Sequence, residues 1–113
     1  MTDEEQKQVR AEFGRVVNMA PAELEAWLGT EESRSVGWVR EGEREAIGHQ
    51  SGRHILAIKR KKVAELSGDD YAHMRKVIGY VHRHMAQRPK GDVGGTRWWY
   101  SLMNWGHDPL KDG

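Results

Sequence analysis

The sequence has no cysteine, one phenylalanine and three prolines. Without cysteine there are no disulfides and no thiolate zinc sites, and the composition points to the cytoplasm. No apolar run approaches the roughly 18 residues of a membrane span, so no membrane partner is expected. The opening MTDEEQKQ is acidic and polar, unlike a secretory signal. Apolar and polar residues nowhere alternate convincingly, so no strand is predicted. Signatures of catalysis are missing too. There is no H-E-x-x-H, and Ser51 lies in HQSGR, which is not the G-x-S-x-G elbow. On a helix His82 and His84 diverge by about 200°, and His73 and His84 stand about three turns apart. His107 and Asp108 are adjacent without a nucleophile, as in a capping tail with an Asp-Pro turn. No catalytic residue, metal ligand or cofactor is therefore expected, and the protein is read as a non-enzyme.

What is present suits one soluble domain over residues 1–113. The formal net charge is +1, but its distribution is uneven. Residues 1–46 carry eleven acids and six bases, a net of −5. Residues 47–113 carry twelve bases and six acids, a net of +6, and all six histidines. Such asymmetry fits either a surface for a polyanion or two halves that attract each other.

Periodicity predicts four to five helices. The first spans 3–18, with Thr2 as cap, acids in its first turn and Val9, Phe13, Val16 and Val17 as inner stripe. The second spans 21–28, opened by Pro21 and ended by Gly29. Residues 30–48 have no sustained period and read as a long, charged, glycine-containing flexible loop. The third helix is predicted over 52–66 with Ser51 as cap and an apolar arc of Ile55, Leu56, Val63 and Leu66. Its KRKK run, Lys59 to Lys62, spreads over about 300° on a helix, so these residues cannot all point away from the core. Lys59 falls inside the apolar arc, so it either snorkels past the core edge or marks an edge that faces a partner.

The fourth helix, 68–87, carries a Ser67–Asp70 capping box and a stripe of Tyr71, Met74, Val77, Ile78, Val81 and Met85. Ala72, Gly79 and Ala86 beside that stripe suggest a seam for close helix packing. A short helix over 97–105, capped by Thr96, presents Trp98, Leu102 and Trp105 on one row and Trp99 and Met103 on a second. So dense an aromatic set reads as core closure, with base stacking as the alternative; Trp99 is expected to be the most exposed of the three tryptophans. Residues 106–113 read as a tail. The expected fold is a small all-α bundle, its third and fourth helices forming an antiparallel hairpin or helix-turn-helix-like crossing across a three-residue joint.

PAELEAWL, GHQSGRHIL, DDYAHMRKVIGYVHRHMAQRP and TRWWYSLMNWGHDPL together resemble a bacterial and fungal family catalogued as domain of unknown function 3140. The resemblance runs in register over nearly the whole chain. Members are often labelled DNA-binding, so it implies a nucleic-acid role; it implies no catalytic residues. Relatives tend to carry Ser or Thr before the proline of the second helix, where this chain has Ala20.

Two candidate sites follow from the residues. The predicted third helix begins with Ser51, Gly52, Arg53 and His54, placing cations where the helix dipole favours an anion. A phosphate at Ser51, Gly52 and Arg53 would supply that charge; the alternative is a pair between Arg53 and a carboxylate such as Glu31 or Glu32. The wider basic face of residues 51–90 adds Lys59, Arg60, Lys61, Lys62, Arg75, Lys76, Arg83, Arg88 and Lys90 as phosphate contacts. Such contacts position a protein on DNA without reading sequence. The favoured function is DNA binding of low specificity. The alternatives are a protein-interaction or stress-associated adaptor whose basic face meets an acidic partner, and a regulator that takes a phosphorylated ligand at Ser51–Arg53.

Overall fold

The computed structural model describes residues 1–111, which form an all-helical domain with no strand among them. The elements in order are α1 (Asp3–Val16), α2 (Pro21–Leu28), α3 (Glu31–Arg34), α4 (Ile47–Lys59), a 3-10 turn (Val63–Glu65), α5 (Gly68–Met85) and α6 (Arg97–Asn104). The predicted tail is described as far as Lys111; residues 112 and 113 lie outside the described residues.

Local capping chemistry sets most of these boundaries. Glu5 N–H donates to Thr2 Oγ1 at 3.1 Å and Thr2 N–H to Glu5 Oε1 at 3.2 Å, so α1 opens on a reciprocal box. Ser67 and Asp70 make the same exchange at α5. Thr96 accepts from Trp99 N–H at α6. Ala20 has no side-chain acceptor to offer α2, and only the return bond, Ala20 N–H to Glu23 Oε1, is made.

The core joins Phe13, Val16 and Val17 to Leu24 and Leu28, Ile55 and Ile58, Tyr71, Met74, Val77 and Val81, and Leu102, Met103 and Trp105. The aromatic C-terminal segment therefore closes the core: Trp105 is buried, and Trp98 and Trp99 are both half-buried. Gly106 turns the chain with φ +79°, and a Cβ there would stand 2.8 Å from Val17 Cγ1.

Four expectations need correction. The third predicted helix starts five residues earlier and ends seven earlier. It opens at Ile47 after Ala46, so Ser51 is a helix-interior residue and not a cap. Its end at Lys59 leaves Val63 exposed and Leu66 in the following loop. The joint to α5 is consequently residues 60–67, not a three-residue turn, and the main pairings are α1 with α5 and α2 with α4. The 30–48 segment is not a free loop. It contains α3, buries Ser33 and Val36, and donates the Ile47 N–H to Trp38 O at 2.9 Å. Finally, Ala72 and Ala86 are exposed and Arg83 Nη1 lies 3.0 Å from where a Cβ of Gly79 would be, so the small-residue seam meets a side chain and no helix.

Candidate functional site

The twelve candidate phosphate ligands divide sharply once their neighbours are known. Ser51 is buried, its hydroxyl 2.9 Å from His73 Nε2. Gly52 is buried where α4 crosses α2 and α6; a Cβ would stand 2.6 Å from Leu28 Cδ2 and 2.7 Å from Asn104 O. Its lack of a side chain serves helix packing, and no phosphate can reach it. Arg53 pairs with Glu45, which also pairs with His49. Glu45 stands two residues before α4, so the helix supplies its own N-terminal anion. The phosphate site at Ser51–Arg53 loses its premise, and the carboxylate that meets Arg53 is Glu45 and not Glu31 or Glu32.

The KRKK run is likewise largely occupied. Lys59 is half-buried, its ammonium 3.2 Å from Val17 O and 3.3 Å from Met19 O, just past the end of α1. Burial, together with the charge of Lys111, lowers its pKa, and Glu23 opposes the shift. Arg60 meets Glu25 at 3.1 Å and Lys61 meets Asp70 at 2.7 Å. Arg75 meets Glu5 at 3.6 Å, while His82, one heptad further along α5, meets Glu12 at 3.3 Å. Much of the charge asymmetry is thus spent between the two parts of the chain. Among the described residues Lys62, Lys76, Arg83, Arg88 and Lys90 have no carboxylate within 4.0 Å. Arg88 instead lies over Trp98, 5.7 Å from the ring centre.

Lys76 and Arg83 flank a cavity of about 400 Å3 between α4, α5, α6 and the segment before α4. Ile47, Gly48, Tyr80, Ser101, Trp105 and Trp38 complete most of its wall. A smaller cavity of about 190 Å3 shares Ile47 and Lys76 with it and is lined by Arg40, Gln50, Ser51, His54 and His73. Lys76, Tyr80 and Arg83 fall at i, i+4 and i+7, a spacing visible in the sequence, but Tyr80 lies off the core stripe and carries no charge to mark it. Trp38 carried no periodic signal at all.

Beside the cavity runs a column of rings. His54 stacks on His73 at 4.2 Å between centres, His73 faces Trp105 at 6.1 Å, and Trp105 stacks on Tyr80 at 4.1 Å. Tyr80 then faces His84 at 5.2 Å and His84 faces Trp98 at 5.5 Å. His84 and Trp98 are also bonded reciprocally, Trp98 Nε1 donating to His84 O at 2.9 Å with His84 Nε2 3.1 Å from Trp98 O. The rings come from three helices and could not be assembled from helical spacing alone.

Ser51 and His73 have the composition of a nucleophile and its base. Burial, with the positive charges of His54 and Lys76, pushes the His73 pKa down to about 4. However, Ser51 sits inside α4, where backbone N–H groups are committed to the helix and cannot form an oxyanion hole. Asp70, the nearby carboxylate, bonds His54 and Lys61 instead. Burial works against its ionisation, but Lys61, the Ser67 N–H and His54 outweigh this and hold its pKa well below the usual carboxylate range. Among the described residues no three His, Asp or Glu side chains converge as metal ligands.

A family model described as "Protein of unknown function (DUF3140)" matches residues 12–103. No curated protein and no solved structure matches the chain.

Proposed function

The chain belongs to the DUF3140 family of proteins of unknown function, and on that premise we propose that it is a non-catalytic, cytoplasmic DNA-binding protein of low sequence specificity. One observation carries the reading: internal ion pairs neutralise the basic surface unevenly. The flank of α5 bearing Arg75 and His82 is matched by Glu5 and Glu12 of α1. Lys76 and Arg83, on the flank lining the cavity, have no such partners. Arg88 and Lys90 continue the unmatched charge past the end of α5, and Lys62 adds another exposed cation. Unpaired cations of this kind contact phosphates and release counterions, giving affinity without base readout.

The test is a salt titration of labelled duplex DNA followed by fluorescence anisotropy. Log K should fall with log salt at a slope of about −0.9 per phosphate contacted. The double variant Lys76→Ala, Arg83→Ala should flatten the slope by roughly two contacts. Lys61→Ala should leave it nearly unchanged, because Lys61 is already committed to Asp70. If the folded protein fails to bind at about 50 mM salt, where phosphate contacts are strongest, the DNA reading fails and an acidic protein becomes the better occupant of this face.

A further inference from the structure

We propose that the larger cavity is a nucleotide site, taking one unstacked base with its phosphate, and that the protein prefers single-stranded over duplex DNA. The inference deepens the nucleic-acid reading and rests on it for the strand as ligand. Its volume of about 400 Å3 lies within the range of small-molecule sites. Three features of the wall define the ligand.

The first is an unused donor. Trp105 is only 4% exposed, yet among the described residues its indole N–H has no acceptor. Nε1 stands 3.1 Å from where a Cβ of Gly48 would be, and both residues line the cavity. Among the described residues no fully buried side-chain nitrogen or oxygen lacks a partner, so this N–H keeps its access through the cavity, where an entering acceptor would meet it. Gly48 leaves that approach open, since any side chain would cover the indole nitrogen.

The second feature is charge. Lys76 and Arg83 bring two cations to the same wall with no carboxylate of their own. Glu43 is paired with Arg40 across the neighbouring segment. The ligand is therefore an anion, and Arg83 presents a fork suited to phosphate oxygens.

The third feature is Trp38. Its ring is 69% exposed, the most exposed large hydrophobic side chain described. The backbone beneath it is nonetheless held, by buried Val36 on one side and by the Ile47 N–H bond on the other. Trp105 is stacked between His73 and Tyr80, and Tyr80 between Trp105 and His84, so both rings are already engaged in the column. Trp38 stacks on none of these rings, and its exposed surface is free for a base at the cavity. A planar base stacks on Trp38 while its phosphate meets Lys76 and Arg83, and an exocyclic or phosphate oxygen accepts from Trp105. Bases inside a duplex are already stacked and cannot enter; a single strand or a free nucleotide can.

Tryptophan quenching and anisotropy of the full chain would be followed with thymidine monophosphate, thymidine, inorganic phosphate, oligo-dT and a duplex of equal length. The expected order is oligo-dT tighter than duplex, and thymidine monophosphate tighter than thymidine or phosphate. Trp38→Ala, at an exposed position, should fold normally and weaken oligo-dT by about tenfold while leaving duplex binding within about twofold. Thymidine monophosphate binding as tightly as oligo-dT assigns the site to a free nucleotide. Equal affinity for both DNA forms with an inert Trp38→Ala overturns the nucleotide site but leaves the DNA reading standing. Loss of all nucleic-acid binding, with thymidine monophosphate still bound, does the reverse. Phosphate alone matching thymidine monophosphate removes any role for the base.

Discussion

Gly52 shows how one residue can be informative in sequence and misleading about role. A glycine between a serine and an arginine resembles a phosphate cradle, yet the missing side chain lets α4 approach Leu28 and the Asn104 carbonyl. Gly52→Ala should therefore destabilise the fold by about 1–3 kcal/mol, the usual cost of overpacking, even though Ala is the better helix former. Urea unfolding followed by circular dichroism checks this. Unchanged or raised stability would mean that α4 does not cross as closely as described. Arg53 beside it is exposed and paired with Glu45, so its removal should shift stability by less than about 1 kcal/mol. Neighbouring residues of one motif thus carry different burdens, and their burial decides which.

Among the elements, α5 was legible because its cap, stripe and terminating Pro89 all agree. The ends of α4 were not, because its start lacks every usual signal: Ala46 cannot cap, and the charge that suits the dipole comes from Glu45. Its early stop was equally hidden: past Lys59 the chain tightens into three-residue turns, Arg60 N–H bonding Ala57 O at 3.2 Å and Lys61 N–H bonding Ile58 O at 3.1 Å. The 30–48 segment hid its order in a long-range contact. Asn104 Oδ1 accepts from Ser33 Oγ at 2.5 Å and Trp27 Nε1 at 2.7 Å, while Asn104 Nδ2 donates to Ser33 O at 2.9 Å. A polar pin of this sort depends on residues about seventy positions apart, beyond the reach of periodicity. Of the candidate site, the cations of α5 were readable; Trp38, Tyr80 and Trp105 needed the fold to bring them together. Asn104→Leu should cost about 2–4 kcal/mol by stranding these partners, and should free the segment to move. Limited trypsin digestion reports it: the parent chain should be cut first at Arg40 or Arg44, in the exposed turn. The variant should gain early cleavage at Arg34. Early cleavage at Arg34 in the parent would mean that the pin does not hold.

For the whole molecule, the ring column ties α4 and α5 to the end of α6 and holds two histidines, His73 and His84, whose pKa values burial lowers. His73 sits in it between His54 and Trp105, with Lys76 on its own helix and Ser51 and Asp70 as the groups that favour its proton. Its pKa of about 4 in the fold lies below the ordinary value of 6.5, so the unfolded chain takes up a proton that the folded chain refuses. Stability should accordingly be full above about pH 6.5, decline between there and about pH 4, and show no further loss from this group below that. Solvent screening reduces the effect to about 1–3 kcal/mol. Asp70 has the opposite chemistry and a lower window. Its depressed pKa contributes stability above the usual carboxylate range, and that contribution is lost only as pH falls below about 3.8. The two phases are therefore separable. In urea titrations from pH 7 to 3, His73→Phe, which keeps a ring in the column, should remove most of the loss between pH 6.5 and 4, leaving the part due to His84, whose pKa burial also lowers, and should retain the loss below it. A variant whose stability still falls by the parent's full amount between pH 6.5 and 4 would show that His73 is not the group responsible. The same protonation would place a second positive charge beside Lys76, but only in the unfolding range, so DNA affinity at neutral pH should be insensitive to this substitution.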